Sequence, residues 1–333
     1  MSQADVRTID YHTGGEPFRI VVEPPVRIGG ATVAERRVFA IADPDVDGLR
    51  RVLCFEPRGH ADMYGGFLTP PDDDGAAFGV LFWHKDGFST ACGHGTMALG
   101  AWAVESGLVA ADPSGVTDVV IDVPSGRVTA RVRAEGGVEF VSVPSWVIAE
   151  RVAVPTSRGE VHADLAYGGA IYAHVAAADV GLGVEAGAVG ELIAIGREIT
   201  RALDGSVHAR HPGDDRLSGV YGTILYDDLG EDGDGNPHQR NVAIFADGQV
   251  DRSPCGSGTA SRVAVLGGRI PEGGHLVHDS IVGSRFLARV DRHVTVDGRA
   301  AVVPVISGTA HKTGEHLFVT DPADELTPGF VLR

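Results

Sequence analysis

The stretch Asp251-Arg252-Ser253-Pro254-Cys255-Gly256-Ser257-Gly258-Thr259 places a thiol, two glycines and a run of hydroxyls just ahead of an apolar segment that can begin a helix. Glycine lets a backbone approach a ligand closely, and a helix N-terminus offers free N–H groups with partial positive charge. A thiol placed there is expected to be acidified, and a carboxylate placed there is held. The same Cys-Gly-x-Gly-Thr frame stands earlier, in Ala91-Cys92-Gly93-His94-Gly95-Thr96-Met97-Ala98, 255 − 92 = 163 residues away. Two such frames suggest two thiols serving one ligand.

The chain around them is organised as a repeat. Arg7 to Val22 reads as strand, Gly14-Gly15 turn, strand, and Asp164 to Val175 repeats that plan about Gly168-Gly169. Asp43 to Val52 is a short helix candidate, with Pro44 in its first turn. Gly93 to Ser106 reads as a helix closed by Gly107, and the Cys255 helix runs to Leu266 before Gly267-Gly268. Val189 to Leu203 carries Leu192, Ile195, Ile199 and Leu203 at helical spacing. Val119–Val123 and Arg127–Val132 form a hairpin about Pro124-Ser125-Gly126, followed by a strand from Val138 to Val143. In the second half, Tyr221–Tyr226 and Val242–Ala246 read as strands separated by an acidic turn, Asp227 to Asn236. Later strands are expected at Ile281-Val282, Phe286–Val290, His293–Val296, Ala301–Val305 and His316–Val319. The expected fold is α/β in two similar halves, residues 1–160 with Cys92 and residues 161–333 with Cys255, with the last strands free to return to the first half.

Composition narrows the function. The 333 residues are 43% hydrophobic and 22% charged, the values of an ordinary soluble globular protein. A formal charge of 28 − 45 = −17 argues against a nucleic-acid or anionic-membrane partner, and 6% aromatics argue against base-stacking surfaces. The start, Met1 to Arg7, shows no apolar secretory segment, and the longest apolar runs are far too short to span a bilayer. Three cysteines, Cys54, Cys92 and Cys255, fit free thiols in a reducing compartment, so a cytoplasmic location is expected. Cys54 lies in an apolar run and reads as a small buried hydrophobe. Only Lys85 and Lys312 could form a Schiff base, and neither has a phosphate-binding context, so a pyridoxal cofactor is not expected.

Other motifs weigh little. Asp232-Gly233-Asp234-Gly235-Asn236-Pro237 has no acidic residue at the closing position of a calcium loop and reads as a solvated turn. His208/His211 and His275/His278 are isolated His-x-x-His pairs without further ligands at zinc spacing, so no metal is expected. Gly93-x-Gly95 before Ala98 is a weak dinucleotide match. The duplicated cysteine frame is the strong signal. A substrate carboxylate between two helix ends would accept N–H bonds from Gly93, His94, Gly256 and Ser257. A carbon between the thiols could lose a proton to one and gain one from the other, which is two-base inversion. A disulfide across the pocket, a redox sensor or a non-catalytic binder is the competing reading.

The sequence resembles the proline racemase family, which includes hydroxyproline 2-epimerases and trans-3-hydroxy-L-proline dehydratases. The resemblance runs from Asp10-Tyr11-His12-Thr13-Gly14-Gly15-Glu16-Pro17 through Glu56-Pro57-Arg58-Gly59-His60 and both cysteine frames to Ile281-Val282-Gly283-Ser284 and the tail. It implies a diaminopimelate epimerase-like fold of two pseudo-symmetric α/β halves with the site in the cleft between them. It also implies no cofactor, a proline or hydroxyproline substrate and a homodimer. By resemblance Cys92 and Cys255 are the alternating acid and base, Gly93, His94, Gly256 and Ser257 hold the carboxylate, and Asp251 binds the ring nitrogen. Tyr221-Gly222-Thr223 and Phe245 to Val250 are similar to the 3-hydroxyproline dehydratases, and Gly222 stands where 4-hydroxyproline epimerases carry a histidine. Dehydratases of that branch carry threonine where this chain has Cys255, which leaves both activities open.

Overall fold

Cys92 and Cys255 each begin a helix that is buried on nearly every side, apolar in the first case and carrying Ser257, Thr259, Ser261 and Arg262 in the second, and strands pack against both helices. In the computed structural model, which describes residues 5–332, the order begins β1 (Val6–Thr13), β2 (Glu16–Val21), α1 (Val33–Ala42), α2 (Pro44–Cys54), β3 (Tyr64–Thr69), β4 (Phe78–His84) and β5 (Gly87–Phe88). It continues with α3 (Gly93–Glu105), β6 (Val116–Val123), β7 (Gly126–Arg133), β8 (Val138–Val141), β9 (Trp146–Thr156), β10 (Gly159–Tyr167), β11 (Ile171–Ala176) and α4 (Val189–Leu203). Then come β12 (Val220–Glu231), β13 (Pro237–Phe245), β14 (Gln249–Val250), α5 (Gly256–Leu266), β15 (Leu276–Ser280), β16 (Arg285–Val296), β17 (Arg299–Gly308) and β18 (Ala310–Phe318). Residues 1–4, part of the stretch that lacks a secretory segment, lie outside the described residues.

The first unit comprises residues 1–138 and 309–333. β1 pairs antiparallel with β18 and β2, β2 runs parallel to β3, β3 is antiparallel to β4, and β4 pairs antiparallel with β5 and parallel with β6, which turns back into β7. Helix α3 packs against β1, β2, β6, β7 and β18, and Gly93 through Ala103 are all buried. A helix apolar all round needs such a wrapping to leave water. Gly100 permits the approach, since a Cβ there would stand 2.4 Å from Ala130. On the other face, α1 and α2 cover β3 and β4 through Val33, Leu49, Leu53, Cys54, Phe67, Leu81 and Trp83.

The second unit comprises residues 139–308 and repeats the pairing plan. β10 is antiparallel to β9 and β11, β11 is parallel to β12, and β12 is antiparallel to β13. β13 then pairs antiparallel with β14 and parallel with β15, which turns into β16 and then β17. Helix α5 packs against β9, β10, β11, β16 and β17. Helix α4 lies on β12 and β13 with Leu192, Ile195, Ile199 and Leu203 buried, at the spacing its sequence dictates.

The division falls at 138/139 rather than at 160/161, because β9 is the hairpin partner of β10 and residues 309–333 carry β18 to the first unit. Ile281-Val282, expected as a strand, form the turn between β15 and β16, which Gly283 at φ 83° allows. The acidic turn is shorter than expected: β12 extends to Glu231, and the Asp232 carboxylate closes residues 232–236 by accepting the Asp234 and Asn236 N–H groups. Helix α1 and strand β9 have no counterpart among the sequence expectations.

Candidate active site

Cys92 is the N-cap of α3, with an extended backbone at φ −157° and ψ 102°. Its sulfur accepts the Gly95 N–H at 3.2 Å, and its carbonyl accepts the Thr96 hydroxyl at 2.8 Å. Gly95 must be glycine, since a Cβ there would sit 2.3 Å from the Phe18 ring and 2.7 Å from the Cys92 sulfur. His94 sets both ring nitrogens 3.5 Å from the same sulfur and packs edge-on against Phe18 and Tyr64. Burial lowers its pKa to about 3, against a hydrogen bond to the Pro17 carbonyl, so the imidazole is neutral. The Gly14-Gly15 turn is tied to this helix start by the Thr13 hydroxyl, which donates to the His94 carbonyl at 3.1 Å.

Cys255 is likewise the N-cap of α5, but without a side-chain cap bond. A Cβ at Gly258 would come within 2.9 Å of its sulfur, and the Thr259 N–H bonds the Cys255 carbonyl at 2.7 Å. The Gly168-Gly169 turn packs on this helix start, because a Cβ at Gly168 would stand 2.5 Å from the Ser257 carbonyl. Phe18 and Tyr172 occupy matching places after the two glycine pairs, and here the chemistry diverges. Tyr172 hydrogen-bonds Ser257 Oγ at 2.7 Å, and the Cys255 thiol donates to the Tyr172 hydroxyl at 3.8 Å. Tyr172 meets Tyr221 edge-on, and Tyr221 stacks on Phe245, giving this frame an aromatic wall.

Asp251 is 2% exposed, and its Oδ1 accepts the Ser253 N–H at 2.8 Å and the Ser253 hydroxyl at 2.7 Å. Ser253 Oγ in turn accepts the Cys255 N–H at 3.1 Å. Burial raises the Asp251 pKa to about 6 despite the Ser253 bonds. Cys255 was expected to be acidified by its helix terminus, and the structure reverses that. Burial, followed by the Asp251 charge, pushes its thiol well above the ordinary value, and the opposing Gly258 N–H is the weaker effect. Cys255 therefore rests as a thiol. Its backbone lies at φ 64° and ψ 103°, a region that disfavours a residue with a Cβ.

The first unit thus gathers Cys92, Gly93 and His94, and the second gathers Asp251, Cys255, Gly256 and Ser257. The N–H groups of Gly93, His94, Gly256 and Ser257 lie in first turns, where no preceding helical carbonyl can reach them. Phe18, Tyr172 and Ser253 belong to no motif of their own, although the repeated Gly-Gly turns mark the first two in the sequence. Cys54 is fully buried, with a thiol pushed by burial to about 12, and has no place in either frame. A cavity of about 720 Å³ in the first unit, lined by Arg7, Glu23, Glu315 and His316 among others, contains neither cysteine frame.

Comparison with known proteins agrees over nearly the whole chain. The family model described as proline racemase matches residues 8–331. The chain is 44% identical to a 3-hydroxyproline 2-epimerase of Burkholderia multivorans and 44% identical to a trans-3-hydroxy-L-proline dehydratase of Burkholderia cenocepacia. Each alignment covers 98% of both chains. It also superposes, with a TM-score of 0.90 and 31% identity, on the crystal structure of a hydroxyproline epimerase from Agrobacterium vitis with bound trans-4-hydroxy-L-proline. That match covers 98% of this chain and 96% of the other.

Proposed function

This chain belongs to the proline racemase family of enzymes, and from that premise we propose that it inverts Cα of proline or a hydroxyproline without a cofactor. Cys92 and Cys255 act as base and acid. The observation that carries this reading is the repeated Cys-Gly-x-Gly-Thr frame, each copy starting a buried helix with a glycine pressed against the sulfur. In one direction the Cys92 thiolate takes the α-proton, and the electron pair left behind spreads into the carboxylate. The Cys255 thiol returns a proton on the opposite face, so the enzyme ends with its thiol and thiolate exchanged. First-turn N–H groups of Gly93, His94, Gly256 and Ser257 hold the carboxylate. Asp251, ionised at neutral pH, pairs with the ring ammonium. Free thiols suit a cytoplasmic setting.

A second reading keeps the same site but eliminates water from trans-3-hydroxy-L-proline. Cys92 takes the α-proton, the electron pair forms a ring double bond, the 3-hydroxyl leaves with a proton as water, and the product tautomerises to a cyclic imine. Gly222 favours a 3-hydroxy substrate in either reaction, since a Cβ there would meet the Ile244 carbonyl at 2.7 Å and no histidine fits. The sulfur of Cys255 favours inversion, because elimination needs no second thiol.

Chiral product analysis and Cα deuterium incorporation from heavy water, across proline, 4-hydroxyproline and 3-hydroxyproline, test both readings. Inversion requires Cys92→Ser and Cys255→Ser each to lower turnover about 10³-fold or more. Full turnover in either variant sinks the two-thiol mechanism. A Cys255→Thr variant that still releases cyclic imine establishes dehydration instead.

A further inference from the structure

The Pro254–Cys255 peptide unit is gripped from both sides by buried groups. Its carbonyl, Pro254 O, accepts from Asn241 Nδ2 at 2.8 Å and from Thr259 Oγ1 at 2.9 Å. Its N–H, on Cys255, donates to Ser253 Oγ at 3.1 Å. Thr259 has one hydroxyl proton, and that proton goes to the carbonyl. His278 Nδ1, 2.8 Å from the same oxygen, must therefore be the N–H form and donate to it. Burial keeps His278 neutral, which is consistent with that tautomer. Asn241, Thr259 and His278 are all fully buried, and β13 and β15, which carry the first and last, run side by side.

The orientation of a peptide plane sets φ of the residue that follows it. Fixing the carbonyl and N–H of this plane fixes Cys255 at φ 64°, where a side-chain-bearing residue does not rest unaided. Cys92 takes the relaxed value of φ −157° and needs no such restraint. We infer that Asn241, Thr259 and His278 form a buried clamp on the Pro254 carbonyl that holds Cys255 in its left-handed backbone conformation and so sets where its thiol stands. They are positioning residues acting through the peptide, and only their catalytic consequence rests on the function proposed above.

The test compares Thr259→Val and Asn241→Leu, which remove one donor each, with Thr259→Ser, which keeps the hydroxyl. Cysteine-resolved alkylation by iodoacetamide is followed by mass spectrometry of the folded protein, with Cys92 as the internal reference. Loss of the clamp releases the Cys255 thiol from its seat beside Asp251. Its alkylation is expected to rise about tenfold or more while Cys92 holds its rate, and kcat for Cα exchange should fall by a similar factor with KM little changed. Thr259→Ser should restore both. An unchanged Cys255 rate, or equal rises at both thiols, overturns the clamp. So does failure of both the valine and leucine variants to fold while the serine variant folds, because the hydrogen bonds would then serve the second unit as a whole. Alkylation needs no substrate, so absence of exchange in the unmodified enzyme would defeat the functional reading and leave this contrast to decide the clamp.

Discussion

The two cysteine frames share a sequence and a backbone plan but not an environment. In the first, the sulfur accepts a glycine N–H at 3.2 Å beside a neutral imidazole, on relaxed backbone, with a phenylalanine packed behind it. In the second, the sulfur lies near a tyrosine hydroxyl and a buried aspartate, on strained backbone. The two frames therefore share a thiol at a helix start and differ in the backbone that carries it and in its electrostatics. The second frame holds its proton, and the reason is burial next to a carboxylate, which outweighs the helix terminus.

That contrast can be broken in three ways. The largest effect is expected from filling the glycine behind each sulfur. Gly95→Ala drives a Cβ to 2.3 Å from the Phe18 ring, whereas Gly258→Ala meets first the Ile224 side-chain tip at 2.7 Å. Denaturant unfolding should show Gly95→Ala losing about 3 kcal/mol and Gly258→Ala about 1 kcal/mol, because a methyl tip yields more readily than a ring wedged in the core. Equal losses would mean that the two frames are packed alike.

Removing the Asp251 charge comes next. An acid whose folded pKa is raised favours folding below its unfolded pKa and loses that contribution as pH rises through about 6. Asp251→Asn keeps an oxygen for the Ser253 donors. It should melt higher than the parent by on the order of 2 kcal/mol at about pH 8, with the gap narrowing toward pH 5. It should also lose activity. A gap that widens on acidification would contradict the sign of the Asp251 shift.

The smallest effect is a change of sign. Cys255→Gly should be more stable than Cys255→Ala by about 1 kcal/mol, since glycine alone accepts φ 64° without strain. Cys92→Gly should be less stable than Cys92→Ala by about 0.5–1 kcal/mol. Thermal melting of the four variants decides it, and the same sign at both sites would remove the case for strain at Cys255.

Much of this was legible in the sequence where local signals act alone. The Gly-Gly turns, α4 with its four apolar positions, and both Cys-started helices follow from spacing and caps. Helix α1 carries an equal signal, the Thr32–Glu35 capping box, beyond the expectations set out above. Strand β9 is masked by Pro155 and by charged residues on its exposed positions. The thiol electrostatics were not legible, because burial and the carboxylate that oppose the helix terminus come from the assembled fold. Nor was the clamp: Asn241 and His278 lie on separate strands, and no spacing links either to Cys255.

The pairing of β18 with β1 has a consequence for how the chain is made. These strands begin 310 − 6 = 304 residues apart, so β1 lacks its partner on that side until β18 leaves the ribosome. Residues 139–308 form the other unit without interruption and can fold while that segment is still being synthesised. β1 must therefore wait for β18 with that hydrogen-bonding edge open, and closing so long a loop is an intrinsically slow event.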